Sequence, residues 1–225
     1  MSKSAKGGGL FISFEGPEGC GKTTQIQRLQ ARLAGAGVGV ILTREPGGTA
    51  IGDEIRHLLQ FSPAGDSMKP ETELLLFTAS RAQLVREVIA PALESGATVI
   101  ADRFLDSTTV YQGVARKIDG GMVALINGFA AGGFLPDITF VLDVDVALSH
   151  ERVMRRPHPA RAVDRMERQP CEFYENVRAG YLKLVSSEPE RMRLVDASKS
   201  VSVVEEEIWS HLRKTFHGFF IGSRI

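Results

Sequence analysis

The most constraining feature of this chain is eight residues long: Gly16-Pro17-Glu18-Gly19-Cys20-Gly21-Lys22-Thr23. An apolar run from Leu10 to Glu15 precedes it. A segment with apolar residues at Ile26, Leu29 and Leu33, the spacing of one helix face, follows. A Gly-x-x-x-x-Gly-Lys-Thr pattern between a strand and a helix is an arrangement that wraps a phosphate. Its glycines let the backbone approach closely enough for several N–H groups to donate, and the helix that follows adds its positive end. Lys22 is placed to meet β and γ phosphates, and the Thr23 hydroxyl to ligate a magnesium ion. Gly16, Pro17, Glu18, Gly19, Cys20, Gly21, Lys22, Thr23 and Thr24 are the expected triphosphate-binding residues.

Apolar runs of strand length alternate with segments of helical period along the rest of the chain, which predicts βαβ units on a parallel sheet. The predicted strands are Leu10 to Glu15, Val38 to Thr43, Ala97 to Asp102, Ile138 to Asp145 and Arg193 to Ala197. Helices are predicted around Gln25 to Leu33, around Ile51 to Leu59, and from Pro70 to Gly96 with a kink at Pro91. Further helices are predicted over Met122 to Ala130, Val146 to Met154, Cys171 to Val185 and Val203 to Phe216. The expected fold is α/β: a P-loop NTPase three-layer sandwich, with a five-stranded parallel sheet flanked by helices and a basic lid. At about 150 residues per domain, 225 residues predict a single domain over 1–225, its core at about 10–217.

Composition narrows the function classes. Twenty-seven basic residues balance 27 acidic ones, which argues against a general nucleic-acid or acidic-membrane binder, since either needs a positive field. The longest uncharged stretch, Gly120 to Pro136, holds five glycines, and no membrane span is expected. Only Cys20 and Cys171 are present, too few for a disulfide framework, and the amino terminus lacks the apolar core of a secretion signal. These features predict a cytoplasmic protein without structural zinc.

A phosphate loop alone does not separate kinases from switch GTPases, motors or transporters, so an acceptor site has to be found elsewhere. Arg44-Glu45-Pro46-Gly47-Gly48-Thr49 follows the second strand, and Asp102-Arg103 ends the third, which puts both at the carboxyl edge that carries the phosphate loop. Phe77 and Arg81 lie four residues apart and share a helix face. An aromatic ring can stack on a base, and arginine forks match phosphate oxygens. A fourth cluster, Glu151 to Arg168, carries six arginines against three acids, with prolines flanking His158. We read it as a lid, at about 152–169, that closes on the triphosphate and neutralises the transferring phosphoryl group.

Taken together, FEGPEGCGKTT, TREPGGT, LLLFTASRAQLV, ADRFLDSTTVYQG and Asp164-Arg165-Met166-Glu167 resemble the thymidylate kinase family, in the family's order and over nearly the whole chain. The resemblance implies magnesium-dependent transfer of the ATP γ-phosphoryl group to dTMP, giving dTDP and ADP, by a homodimer. It implies that Phe77 stacks on thymine, that Arg81 and Thr108 lie against the base, and that Tyr111 and Gln112 form the wall that excludes a 2′-hydroxyl. It makes Arg103 the clamp on the acceptor phosphate and Asp102 the acid near the magnesium shell. Glu18 becomes the loop carboxylate near the acceptor, and Arg44, Glu45 and Pro46 frame the pocket. Some relatives carry a catalytic arginine at the position of Gly19. Here the resemblance points to the lid instead, with Arg161 and Arg165 as first choices and Arg156 behind them. Two alternatives stay open at this point: another nucleoside monophosphate kinase, and a regulatory NTPase. The second lacks the Asn-Lys-x-Asp guanine reader, since Asn127 and Asn176 are followed by Gly128 and Val177.

Overall fold

The fold was obtained as a computed structural model, which describes residues 9–155, 164–166, 168–217 and 219. Five strands, β1 Phe11–Glu15, β2 Val40–Arg44, β3 Thr98–Asp102, β4 Ile138–Asp143 and β5 Met192–Asp196, pair in parallel in the order β2-β3-β1-β4-β5. β1, at the centre, is buried along its whole length, whereas the edge strands β2 and β5 expose part of theirs. A central parallel strand is covered on both faces, which is why FISFE reads as an almost continuous apolar run.

Alternation along the strands builds two cores. Ile12 and Phe14 of β1 and Ile138, Phe140 and Leu142 of β4 face Leu29 and Leu33 of α1 (Lys22–Gly35) and Ile208 and Trp209 of α9 (Val201–Thr215). On the opposite face Phe11 packs with Leu84, Ile89, Val99 and Phe104. A third cluster joins Val141 to Val110 and Tyr111, and to Phe173, Val177 and Tyr181 of α8 (Cys171–Ser187). Each fully buried side chain of this size contributes roughly 1.5–3 kcal/mol. The result is the expected three-layer sandwich.

The other helices are α2 Ala50–Gln60, α3 Pro70–Leu84, α4 Ala90–Glu94, α5 Leu105–Thr108, α6 Gly120–Ala131 and α7 Val146–Met154. The long predicted helix is α3 and α4 joined through a π turn over Val85–Ile89, in which the Ala90 amide reaches back to the Val85 carbonyl. The irregularity falls just before Pro91, which has no N–H to give to the preceding turn. Predicted strand boundaries shift slightly, most clearly at the end of β4. Asp145 is the cap of α7, accepting from the Leu148 amide at 2.8 Å, so β4 ends before it. α5 and the π turn over Thr109–Ala115 were not foreseen, because the β-branched run Thr108-Thr109-Val110 does not signal a helix.

Because β1 is followed in the chain by β2, with β3 inserted between them in the sheet, loops diverge at the carboxyl end of β1 and open a crevice there. The register sets Asp102 beside Phe14 on one side and Arg44 on the other.

Candidate active site

The phosphate loop runs from β1 into α1. Gly16, Gly19 and Gly21 all have positive φ, a conformation other residues rarely adopt. Gly19 also has no room for a side chain, since a Cβ there would stand 2.5 Å from the Ser149 carbonyl oxygen of α7. Lys22 is buried, and its Nζ donates to the carbonyls of Gly16 at 3.1 Å and Pro17 at 2.9 Å. Burial and the Arg103 charge oppose its ammonium form, but Cys20, Glu18 and Asp102 outweigh them and hold its pKa above the ordinary lysine value. Thr23 and Thr24 are exposed at the mouth of the loop.

The carboxyl end of β3 meets this loop. From β3, the Asp102 carboxylate accepts from the Thr23 hydroxyl at 3.4 Å. Arg103 takes a left-handed backbone conformation, with φ 72°, that costs a non-glycine residue energy. Its guanidinium donates to Glu18 at 2.6 Å, to Ser107 at 3.1 Å and to the Tyr181 hydroxyl at 3.4 Å, and lies 5.2 Å from the centre of the Tyr111 ring. The acceptor clamp expected at Arg103 and the phosphate-loop carboxylate Glu18 are therefore in direct contact.

The thymidylate kinase family model matches residues 14–208. The chain belongs to the thymidylate kinase family. It is 46% identical over 209 residues to a thymidylate kinase of Deinococcus radiodurans, covering 93% of this chain and 98% of the relative. A thymidylate kinase of Geobacter sulfurreducens is 48% identical over 195 residues, covering 86% and 91%. The crystal structure of thymidylate kinase from Ehrlichia chaffeensis superposes with a TM-score of 0.74 at 32% identity, covering 91% of this chain and 99% of that one.

Several of the residues expected to hold a nucleobase meet around Arg81 of α3. Phe77 is half-buried and joins none of the buried clusters. Arg81, one turn on, is 1% exposed. Its Nε and Nη2 grip Glu45, Nη2 also reaches Thr108 at 3.0 Å, and Nη1 reaches Asn127 at 2.7 Å. Burial pushes the Glu45 carboxyl up to about 7, against the pull of Arg81. Tyr111 is buried with its hydroxyl unpartnered. Pro46 is buried, its carbonyl accepting from Arg56 at 2.9 Å, while Arg44 is exposed and reaches Asp53 at 3.4 Å.

Gln112 and Arg165 both turn toward Glu73. The Gln112 amide nitrogen donates to Glu73 at 2.8 Å. Arg165, expected to swing over the triphosphate, is buried at a brace: it donates to the Leu59 carbonyl at 2.9 Å and to Glu73 at 2.6 Å. Glu73 holds Arg116 as well, beside a cavity of about 310 Å³ lined in part by Arg116, Arg165 and Arg168. The sequence shows an arginine-rich stretch but not which arginine folds inward, because that depends on an acid 92 residues away. Arg156 and Arg161 lie outside the described residues.

Sequence reasoning missed Glu15, Glu73, Asn127 and Tyr181. Glu15 is fully buried at the end of β1, where burial, followed by the Asp106 charge, pushes its pKa up. Its one visible signal was an acid closing an otherwise apolar strand directly before the phosphate loop.

Among the described residues no three His, Cys, Asp or Glu side chains gather as a metal cage. Thr23 and Asp102 present two oxygen donors at the mouth of the loop, a set that suits a hard cation sharing its shell with phosphates and water. The residues present fit magnesium.

Proposed function

We propose that the chain transfers the γ-phosphoryl group of ATP to dTMP, giving ADP and dTDP. The observation that carries this reading is the 2.6 Å contact between Arg103 and Glu18, since it joins the donor loop to the edge where an acceptor phosphate has to arrive. ATP enters along the loop Gly16–Thr23, and Lys22 exchanges the Gly16 and Pro17 carbonyls for phosphate oxygens. Arg103 holds the acceptor phosphate in line. An acceptor oxygen attacks the γ phosphorus as the bond to the bridging oxygen of ADP breaks. That oxygen is already largely ionised, because the second pKa of a phosphate monoester is about 6, so no general base is needed. The protein's task is to align two polyanions and offset their repulsion.

When bound at Thr23 and Asp102, magnesium supplies charge to the phosphate oxygens. Phe77 stacks on the thymine, Arg81 and Thr108 lie at its edge, and Tyr111 closes the pocket against a 2′-hydroxyl. Arg44, Glu45 and Pro46 frame the same pocket. The crowding at Gly19 supports a catalytic arginine delivered from a lid over 152–169 rather than from the loop. Of the two first choices Arg161 is the one we retain, since Arg165 is engaged with Glu73.

A homodimer is supported by α6, where Met122, Leu125 and Phe129 are 50, 69 and 77% exposed along one stripe. The low cysteine content supports a cytoplasmic enzyme, and the balanced net charge supports one that acts on small metabolites and not on polyanions.

An ADP-release assay over a panel of monophosphates tests the reading. We expect dTMP to exceed uridine, adenosine and guanosine monophosphates, with turnover abolished in Lys22→Ala. Equal turnover of the whole panel, or unchanged kinetics in Lys22→Ala, overturns it.

A further inference from the structure

Arg103 depends on two hydroxyl groups, and each hydroxyl has one proton to give. The Ser107 hydroxyl donates to Glu15 Oε2 at 2.6 Å and the Tyr181 hydroxyl donates to the same oxygen at 2.8 Å. With both protons spent there, both oxygens turn their lone pairs outward, and Arg103 Nη1 donates to each, at 3.1 and 3.4 Å. The other carboxylate oxygen, Glu15 Oε1, takes the backbone amides of Phe104 at 2.8 Å and Ser107 at 3.3 Å. Those amides follow the left-handed turn at Arg103, whose own amide donates to the Phe14 carbonyl at 2.9 Å. One carboxylate thus anchors the strained turn and sets the polarity of both groups that aim the guanidinium at Glu18.

We propose that Glu15 is a positioning residue for phosphoryl transfer, acting on the acceptor phosphate through Arg103 by holding the Ser107 and Tyr181 hydroxyls as acceptors. The proposal rests on the reading of Arg103 as the acceptor clamp. Burial and the Glu15 charge push the Tyr181 phenol well up, so it keeps the proton that it donates. A glutamine at this place keeps the size but brings an N–H₂ group that must itself donate. Its carbonyl oxygen has to stay against the Phe104 and Ser107 amides, so the N–H₂ group takes the place of Oε2 and both hydroxyls lose the acceptor that kept their protons away from Arg103.

The test is a kinetic cycle of Glu15→Gln, Arg103→Ala and the double variant, with dTMP and ATP varied in turn and melting temperature followed. For Glu15→Gln we expect kcat/KM for dTMP to fall about 10- to 100-fold, the scale seen for partners that orient a functional group. KM for ATP should stay within about twofold. In the Arg103→Ala background the same substitution should cost nothing further. A loss that persists undiminished in that background, or a lowered melting temperature with kcat/KM unmoved, overturns the proposal and reduces Glu15 to a structural residue. Should Arg103→Ala alone leave dTMP kinetics unchanged, the clamp reading itself fails and takes this proposal with it. If Glu15→Gln does not fold, Tyr181→Phe, which removes one hydroxyl and keeps the ring, runs through the same cycle, with a several-fold loss expected that vanishes without Arg103.

Discussion

Two buried glutamates face arginines along one side of α3, and they end in opposite electrostatic states. Glu45 has a single arginine, Arg81, and burial leaves its carboxyl raised to about 7. Glu73, two turns before Arg81, accepts from Arg116, Arg165 and Gln112, and although burial works against it, these donors hold its pKa below the ordinary value. Burial cost is common to both. What separates them is how many hydrogen-bonded charges answer each carboxylate, and that decides whether an acid stays reliably ionised near neutral pH. In our reading the first cluster sits at the nucleobase pocket and the second braces α3 against the segment that carries Arg165.

The largest effect expected from this difference is in Arg81→Ala. Removing Arg81 takes away the group that pulls the Glu45 carboxyl down, so at pH 8 the buried carboxyl must either hold its proton against the solvent or ionise without a partner, and we expect a loss of about 3–5 kcal/mol in denaturant unfolding. At pH 5.5 the carboxyl is neutral and the loss should shrink clearly. A cost that does not depend on pH breaks the comparison.

The wild-type pH profile comes next. The pKa of Glu45 is raised in the folded state, so its contribution to stability is complete below about 4.5 and is lost as pH rises through about 7. The pKa of Glu73 is lowered, so its contribution is present above about 4.5 and is lost as pH falls through its folded value. Glu45→Gln should flatten the neutral limb and Glu73→Gln the acid limb, read from unfolding midpoints between pH 3 and 8. If each variant alters the other's limb, the assignment is reversed.

Arg116→Ala should cost less, about 1–2 kcal/mol, with no growth toward pH 8, because Arg165 and Gln112 still hold Glu73. Asn127→Ala should be the smallest change, about 1 kcal/mol, since Arg81 keeps Glu45 and Thr108. A loss from Asn127→Ala that exceeds that of Glu45→Gln would make the amide, not the carboxylate, the main anchor of Arg81.

The same contrast explains what could be read in advance. Glu45 and Arg81 stand in stretches whose residue types suggest a pocket, and both were singled out. Glu73 lies in a helix turn that reads as solvated, and Arg165 lies in a stretch that reads as a mobile basic lid. Their meeting is invisible along the chain because nothing local to either requires the other. Asn127 drew notice only as a residue unfit to read guanine. Its role as a partner of Arg81 follows from how α6 packs on α3.

What this chain settles by its order of residues alone is what a few neighbouring residues can enforce. Glycines at positive φ shape the loop, strand-length apolar runs specify a parallel sheet, and an acid-arginine pair at a strand end arrives at the edge the loop shares. Packing decided the rest, because pairing a buried charge requires groups 36, 89 or 166 residues away to converge, as they do at Glu45 and Glu15. Local rules carry no information about which distant donor will be there. Only the closed core brings Arg81 to Glu45, Arg165 to Glu73, and Ser107 with Tyr181 to Glu15.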